Sequence, residues 1–567
     1  MFNFQACKSP IHPTFLKVKG HHLIDGNGDT VLLRGMGLGG WMLQEGYMFR
    51  LGFIGQQYRI RERISELVGE AETERFYQQW IENHTTKADI DSMAAWGFNS
   101  IRLPMHYNLY TLAVEDEPIS GENTWLDLGF TLTDSLLSWC KAAGVYLILD
   151  LHAAPGGQGH DLHISDRNPD KPSFWDSEAN QQKTIALWRK LAERYANEPW
   201  IGGYDVINEP NWGFDDPEDK LGVREQRNIP LRKFLVDVTS AIREVDTNHI
   251  IFIEGNGFGN NYNGIFPKWD DNLVLSFHKY GNPNTQAAIQ HFLDLRDEHN
   301  IPLWLGESGE NSNTWFTEAI ALCEQHGIGW AWWQNKKMGI NQPLEIIEPV
   351  GYRRLLDYWS GKGEKPSNEA SMTILNEWLE NLKIENNHFR KDVVDAMFRQ
   401  INDDQALPFS ANKITKGDEL DAVNYDLGRQ RSAYYDTDTA SYRFTPGVNT
   451  QGNRGFHYRN DGVDIQMDAD GPHVYHIEPG EWLQYTIQVD GNELTSLGLS
   501  VASINGTGRI YISIDGKVHP ASIPVPATGG ETDWETIQVE GISLPPGKRV
   551  LRIIADQGGF RFKRISF

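Results

Sequence analysis

Cysteine is nearly absent from this chain of 567 residues: Cys7, Cys140 and Cys323 are odd in number and far apart. They offer no disulfide framework and no thiolate metal spacing, so Cys140 and Cys323, both in helical patterns, are expected to be packed thiols. Also missing is any run approaching about 18 apolar residues, the length of a membrane-spanning helix. The opening MFNFQACKSPIHPTF lacks the apolar centre of a secretory signal, so the protein is expected either to act inside the cell or to have had a signal removed. Positive charge is scarce. With 52 Lys and Arg against 77 Asp and Glu, the formal charge is −25, which argues against nucleic acid or an anionic membrane as partner. A neutral substrate is easier to accommodate.

The length exceeds one ordinary domain. Residues 15–33 predict a hairpin around Asp25-Gly26-Asn27-Gly28. A unit then recurs: a helical pattern, a glycine suited to closing a helix, and a short apolar strand. Asp89–Trp96 leads through Gly97 to FNSIRLP, Thr133–Ala143 through Gly144 to VYLILDLH, and Phe316–His326 through Gly327 to IGWAWW. With Leu32–Leu38, Ile201–Asn208, His249–Glu254, Leu273–His278 and Ile301–Glu307 the strands number eight. Near-continuous apolar strands alternating with helices indicate a covered parallel sheet. The fold class expected is α/β, a (β/α)₈ barrel over residues 1–360 that includes the hairpin. An open doubly wound sheet is the alternative, disfavoured because no glycine-rich phosphate fingerprint opens the first helix. Residues 361–415 form a helical connector with helices at Met372–Leu382 and Phe389–Ile401. From 416 to 567 short alternating runs, such as EWLQYTIQV and RVLRIIAD, predict an all-β sandwich.

Polar residues close many of the barrel strands: Arg102, His152, Asn208 and Glu209, His278 and Tyr280, Glu307, and Trp333. Strand ends converge on one mouth of a barrel, so their recurrence there indicates a site. Two carboxylates facing each other suit glycoside hydrolysis, one protonating the departing oxygen and the other attacking or activating water. Arg102 and Tyr280 would keep Glu307 ionised, Asn208 would bind a sugar hydroxyl, and Trp333 would stack on a ring. Trp41, Tyr47, Trp175, Trp212, Phe214 and Trp269 would extend the platform. His152, His160, Asp161 and His163 crowd one loop but lack a zinc spacing, so no metal is expected in the catalytic site.

These residues resemble glycoside hydrolase family 5 over roughly residues 15–360. The resemblance implies Glu209, in Asn208-Glu209-Pro210, as proton donor and Glu307, in LGESG, as nucleophile. It also implies retention of configuration, no cofactor, and substrate contacts from Arg102, His152, His278, Tyr280 and Trp333. LRGMGLGGWMLQEGYM (33–48) and LDLHAAPGGQ (149–158) are similar to the branch with fungal exo-β-1,3-glucanases, from which WWQNKKMG (332–339) departs. The tail resembles carbohydrate-binding module family 6, which implies a structural calcium and a cleft clamped by a tyrosine and a tryptophan. Tyr458 is the candidate tyrosine. Glu531 stands where the tryptophan is expected, Trp534 resembles a core residue, and Arg561 and Lys563 replace asparagines, so that cleft is expected to be inactive.

The expected function is retaining hydrolysis of β-glucosidic bonds in β-glucans or their oligosaccharides, of the cellulase or endo-β-glucanase type. The alternatives are an exo-β-1,3-glucosidase, a β-mannanase, or a non-catalytic glycan-binding protein.

Overall fold

A computed structural model describes residues 14–216, 218–437 and 453–567, which leaves Cys7 outside the described part. Cys140 and Cys323 are buried free thiols. The chain divides into two compact units, the first made of residues 1–280, 285–309 and 323–389, the second of 281–284, 310–322 and 390–567.

The first unit holds a closed barrel of eight parallel strands. We number them β1 (Arg34–Gly37), β2 (Ser100–His106), β3 (Tyr146–Ala153), β4 (Ile201–Asp205), β5 (Ile251–Glu254), β6 (Leu273–Lys279), β7 (Leu303–Gly309) and β8 (Gly329–Trp333). Closure comes from β8 pairing with β1, through Trp330 opposite Arg34 and Trp332 opposite Met36. Strands β2 to β8 are buried along their whole length, as expected where helices cover the outer face.

Local chemistry sets the helix boundaries. Thr86 and Asp89 form a capping box at the start of Lys87–Trp96, each satisfying a backbone N–H that the first turn leaves open. Gly97 ends that helix at φ 117°, a left-handed conformation that costs glycine little. Gly144 closes Asp127–Ala143 in the same way, and in both cases the next strand begins within a few residues.

Two helices between β1 and β2, Gln57–Val68 and Glu70–His84, were not anticipated from the strand pattern. They pack on Tyr352–Trp359 and Asn368–Asn381 in a second core that includes Phe49, Phe76, Trp80, Tyr352 and Trp378 and reaches Trp333 at the end of β8. Trp378 meets Trp80 edge-on at 5.2 Å, and the Tyr352 hydroxyl donates to the Phe49 carbonyl. The connector helix expected at 372–382 thus lies within the first unit as Asn368–Asn381. Its expected companion is the shorter Lys391–Met397, in the second unit.

The second unit contains two sheets. One runs Lys413–Ile414, Trp482–Val489, Gly547–Gln557, Arg509–Ile514, Lys517–Val518; the other runs Ile465–Asp468, Gly471–Val474, Arg561–Ser566, Leu494–Ala502, Glu535–Leu544. Leu499, Val501, Ile512, Leu551, Phe562 and Ile565 from the two sheets share one core, the alternation of a sandwich. Trp534 is not part of it. It is half-buried, with Lys563 Nζ 4.9 Å over its ring and His473 against it edge-on; its segment lies outside the core stripe, which corrects the inward placement expected from sequence.

Truncating Trp378 to alanine removes a ring that meets Phe49, Phe76, Trp80 and Tyr352 in the second core of the first unit. The expected loss is about 3–5 kcal/mol, measured as a lower denaturant midpoint for the tryptophan-fluorescence transition.

Candidate active site

The barrel mouth is organised by Arg102, fully buried on β2. Its Nε and Nη2 donate to Asp205 Oδ2 at 3.1 and 3.0 Å, and Nη1 donates to Glu307 Oε2 at 2.8 Å. Nη2 also donates to Asn208 Oδ1 at 2.7 Å and reaches Glu254 and Asp150 at 3.3 and 3.2 Å. Burial opposes the charge, but the four carboxylates outweigh it and hold the guanidinium well above its ordinary pKa. Glu307, on β7, receives a second donor on its other oxygen, the Tyr280 hydroxyl at 2.7 Å.

Glu209 lies just beyond β4 with φ at 43°, a left-handed backbone for a non-glycine residue, of the kind that persists only where its surroundings impose it. Those surroundings are visible. Its N–H donates to Glu254 Oε2 at 2.7 Å, and its carbonyl accepts from Asn211 Nδ2. Behind it, Gln158 Nε2 donates to the carbonyls of His152 and Asn208, tying the ends of β3 and β4. Glu209 Oε1 lies 2.6 Å from His278 Nδ1. Burial raises the Glu209 pKa, and the negative charges of Glu307 and Glu254 add to the rise, against His278. One oxygen of Glu209 and one of Glu307 come within 4.8 Å of each other.

The opposite wall is aromatic. The Trp333 ring stacks on His152 at 5.0 Å with planes 5° apart, and its indole N–H donates to the Tyr47 hydroxyl. Gly37 makes this possible, since a Cβ there would lie 2.8 Å from the indole. His152 Nδ1 sits 2.8 Å from Asp150, and Nε2 faces Asn208 and Glu45 at 3.3 and 3.5 Å. Burial opposes a charge on His152, yet Asp150, Glu45 and Glu307 bring its pKa to about 10. Burial raises Glu45 to about 7, with His152 opposing.

The expected residues Arg102, His152, Asn208, Glu209, His278, Tyr280, Glu307 and Trp333 thus form one network. Trp212 stands next to it, stacked by His160 and approached by Arg167. Trp41 does not join. Its indole donates to the Ile81 carbonyl and its ring is buried, facing a groove of about 750 Å³ with Tyr58, Gln78, Leu109 and Leu128. The bond to Ile81 fastens Trp41 to the inserted helix Glu70–His84, which corrects its expected place on the sugar platform. Asp150, Asp205, Glu254 and Glu45 were missed. The first three are lone acids inside apolar strands, a signal that was available; Glu45 lies in a loop and carries none.

Glu209, His278 and Glu307 are close enough to hold a metal ion, but their chemistry does not fit one. Both Glu307 oxygens already accept hydrogen bonds, His278 Nδ1 is engaged by Glu209, and the Arg102 cation is in direct contact with Glu307.

Residues 65–339 match the family described as Cellulase (glycosyl hydrolase family 5). The barrel is a glycosyl hydrolase family 5 domain. Residues 454–567 match the family 6 carbohydrate-binding module. Among similar proteins, a β-xylosidase of Phanerodontia chrysosporium is 32% identical over 315 residues, covering 55% of this chain and 61% of that protein. Endoglucanase C of Acetivibrio thermocellus is 24% identical, covering 48% of this chain and 91% of its own length. A probable glucan 1,3-beta-glucosidase A of Aspergillus clavatus is 25% identical, covering 53% and 68%. The chain therefore spans less than two thirds of the β-xylosidase.

In the carbohydrate-binding module a cavity of about 840 Å³ is lined by Tyr475, Asn505, Glu531 and Arg561, among others. Arg561 is ion-paired with Glu531, bonded to Gln466, and lies 5.8 Å over the Tyr475 ring. Tyr458, the tyrosine expected there, is outside this cavity; its hydroxyl donates to Asn424. For the implied calcium, Asp436, Asp464, Glu478 and Glu481 gather near Thr437. Among the described residues no three acids of this module converge within 4.8 Å.

Replacing Arg102 with methionine leaves four buried carboxylates without their cation. The expected cost is about 3–5 kcal/mol, read as a lower unfolding midpoint together with loss of turnover.

Proposed function

We propose that the barrel hydrolyses β-glucosidic bonds in β-glucans or their oligosaccharides by double displacement, without a metal or organic cofactor. The observation that carries this reading is the approach of Glu209 and Glu307 oxygens to within 4.8 Å. It supports a retaining route, for which carboxyl groups stand about 5–5.5 Å apart, rather than inversion, which needs about 6.5–9.5 Å to admit water.

In the first step Glu307 attacks the anomeric carbon while Glu209 gives its proton to the departing oxygen. A glycosyl ester on Glu307 and a free aglycone alcohol result. In the second step Glu209, now a carboxylate, takes a proton from water; the water oxygen attacks the anomeric carbon and Glu307 leaves. Two inversions give net retention. Arg102 and Tyr280 orient the nucleophile, His278 and Glu254 hold the acid, and burial keeps its proton in place. Asn208, fixed by Arg102 and His152, is suited to a ring hydroxyl next to the reacting carbon, and Trp333 to stacking under the sugar.

Endo cleavage of a β-glucan is the favoured form. Exo action on β-1,3-linkages is the second reading, supported by the 33–48 loop that brings Glu45 against His152. The β-xylosidase relative adds aryl β-xyloside to the trial substrates, beside carboxymethylcellulose, laminarin, lichenan and mannan; the product profile on defined oligosaccharides separates endo from exo. In the module, Arg561 lying over Tyr475 supports a closed sugar cleft.

Glu307→Gln is expected to lower kcat/KM on an aryl β-glucoside by about 10³-fold or more; retained hydrolysis would refute the assignment. Glu209→Ala should spare the first step for a dinitrophenyl leaving group, which needs no proton, and azide should restore turnover as a β-glycosyl azide. Because Glu209 acts protonated and its pKa is raised, kcat/KM should fall as pH rises, with that limb above the ordinary glutamate value of about 4.3. Chelator treatment should leave the rate unchanged.

A further inference from the structure

Close to Glu209 the protein carries an arginine that hydrolysis of a neutral glycan does not use. Arg167, in the loop after β3, places its guanidinium carbon 5.0 Å from the centre of the Trp212 ring, and His160 stacks on that indole at 4.0 Å. The loop is fastened at Glu209. His160 N–H donates to the Asn211 carbonyl, Asp161 N–H donates to Asn211 Oδ1 at 2.7 Å, and Asn211 Nδ2 donates to the Glu209 carbonyl at 2.9 Å. Arg167 also packs over Gly157, where a Cβ would come within 2.5 Å of it, one residue from the Gln158 tether.

Arg167 is distinguished by what it lacks. Among the described residues it makes no ion pair, and its buried Nε has no hydrogen-bond partner. Asp176, the carboxylate that bears on it electrostatically, is bonded to the Ser173 hydroxyl. Arg34, Arg194, Arg243 and Arg399, by contrast, all sit on carboxylates. Lys220 adds positive field at His160 and forms no ion pair among the described residues. In a chain with a formal charge of −25, an unpaired guanidinium over an indole and a second unpaired cation whose charge reaches His160 call for an anion from outside. A guanidinium presents donors in a planar fork that matches a carboxylate.

We propose that Arg167, assisted by Lys220, binds a carboxylate carried by the glycan, so that the preferred substrate is an acidic oligosaccharide with a uronic acid unit seated by Trp212. The glycan identity of the ligand rests on the hydrolase reading; the preference for negative charge does not.

The test uses full-length protein carrying Glu307→Gln, so that ligand is bound and not consumed. It is titrated calorimetrically with cellotetraose and with cellotetraose oxidised at one C6 to a glucuronate. The oxidised ligand should bind about tenfold more tightly at low ionic strength. The advantage should disappear in Arg167→Gln, shrink in Lys220→Gln, and fall as salt is added. Equal affinity for the two ligands, no binding of the acidic one, or an Arg167→Gln variant that weakens both equally would overturn the proposal. Turnover of neutral cellotetraose by the unsubstituted protein is the separate check on the hydrolase reading, so the two failures are distinguishable.

Discussion

A single buried guanidinium joins most of the barrel mouth. Arg102 leaves β2 and touches Asp150 from β3, Asp205 from β4, Glu254 from β5 and Glu307 from β7. Burying an unpaired arginine costs several kcal/mol, and burying four unpaired carboxylates costs more. Only a closed barrel brings these groups within reach of one another, so the network couples closure of the sheet to the position of Glu307. A carboxylate held from two sides keeps one orientation.

The same network distributes protons. Burial and the charge of Glu254 push Asp205 well above the usual carboxylate range, while His278 and Arg102 pull Glu254 down despite its burial. His278 is raised well above its ordinary value, burial opposing and Glu254 and Glu307 prevailing. Glu209 is raised although it touches His278. Glu209, just beyond β4, is thereby raised while Glu254, on β5, is lowered, so two buried glutamates of one network face opposite electrostatics. Glu45 and His152 repeat the arrangement on the aromatic wall.

Cations are used in three ways. Arg102 is enclosed by anions and organises the site. In the carbohydrate-binding module Arg561 is neutralised by Glu531 and lies over Tyr475. Arg167 has an indole beneath it and no described anion to pair with. Arginine identity alone does not separate these cases; the surrounding carboxylates do.

The sequence by itself determined the eight strands, the glycine-closed helices and the class of both folded regions, because strand burial and helix capping are written in local periodicity. It also marked Glu209, Glu307, Arg102 and Trp333, since a barrel turns strand-end position into a shared location. Tertiary structure alone decided what those residues touch. Asp150, Asp205 and Glu254 are single acids in apolar strands, and their common partner becomes visible only when four strands meet. Trp41 and Tyr458 were aromatic residues in plausible loops, but a ring's direction depends on which neighbour satisfies its polar atom, Ile81 for one and Asn424 for the other. Periodicity records which face of an element is buried; it does not record which partner lies across the gap.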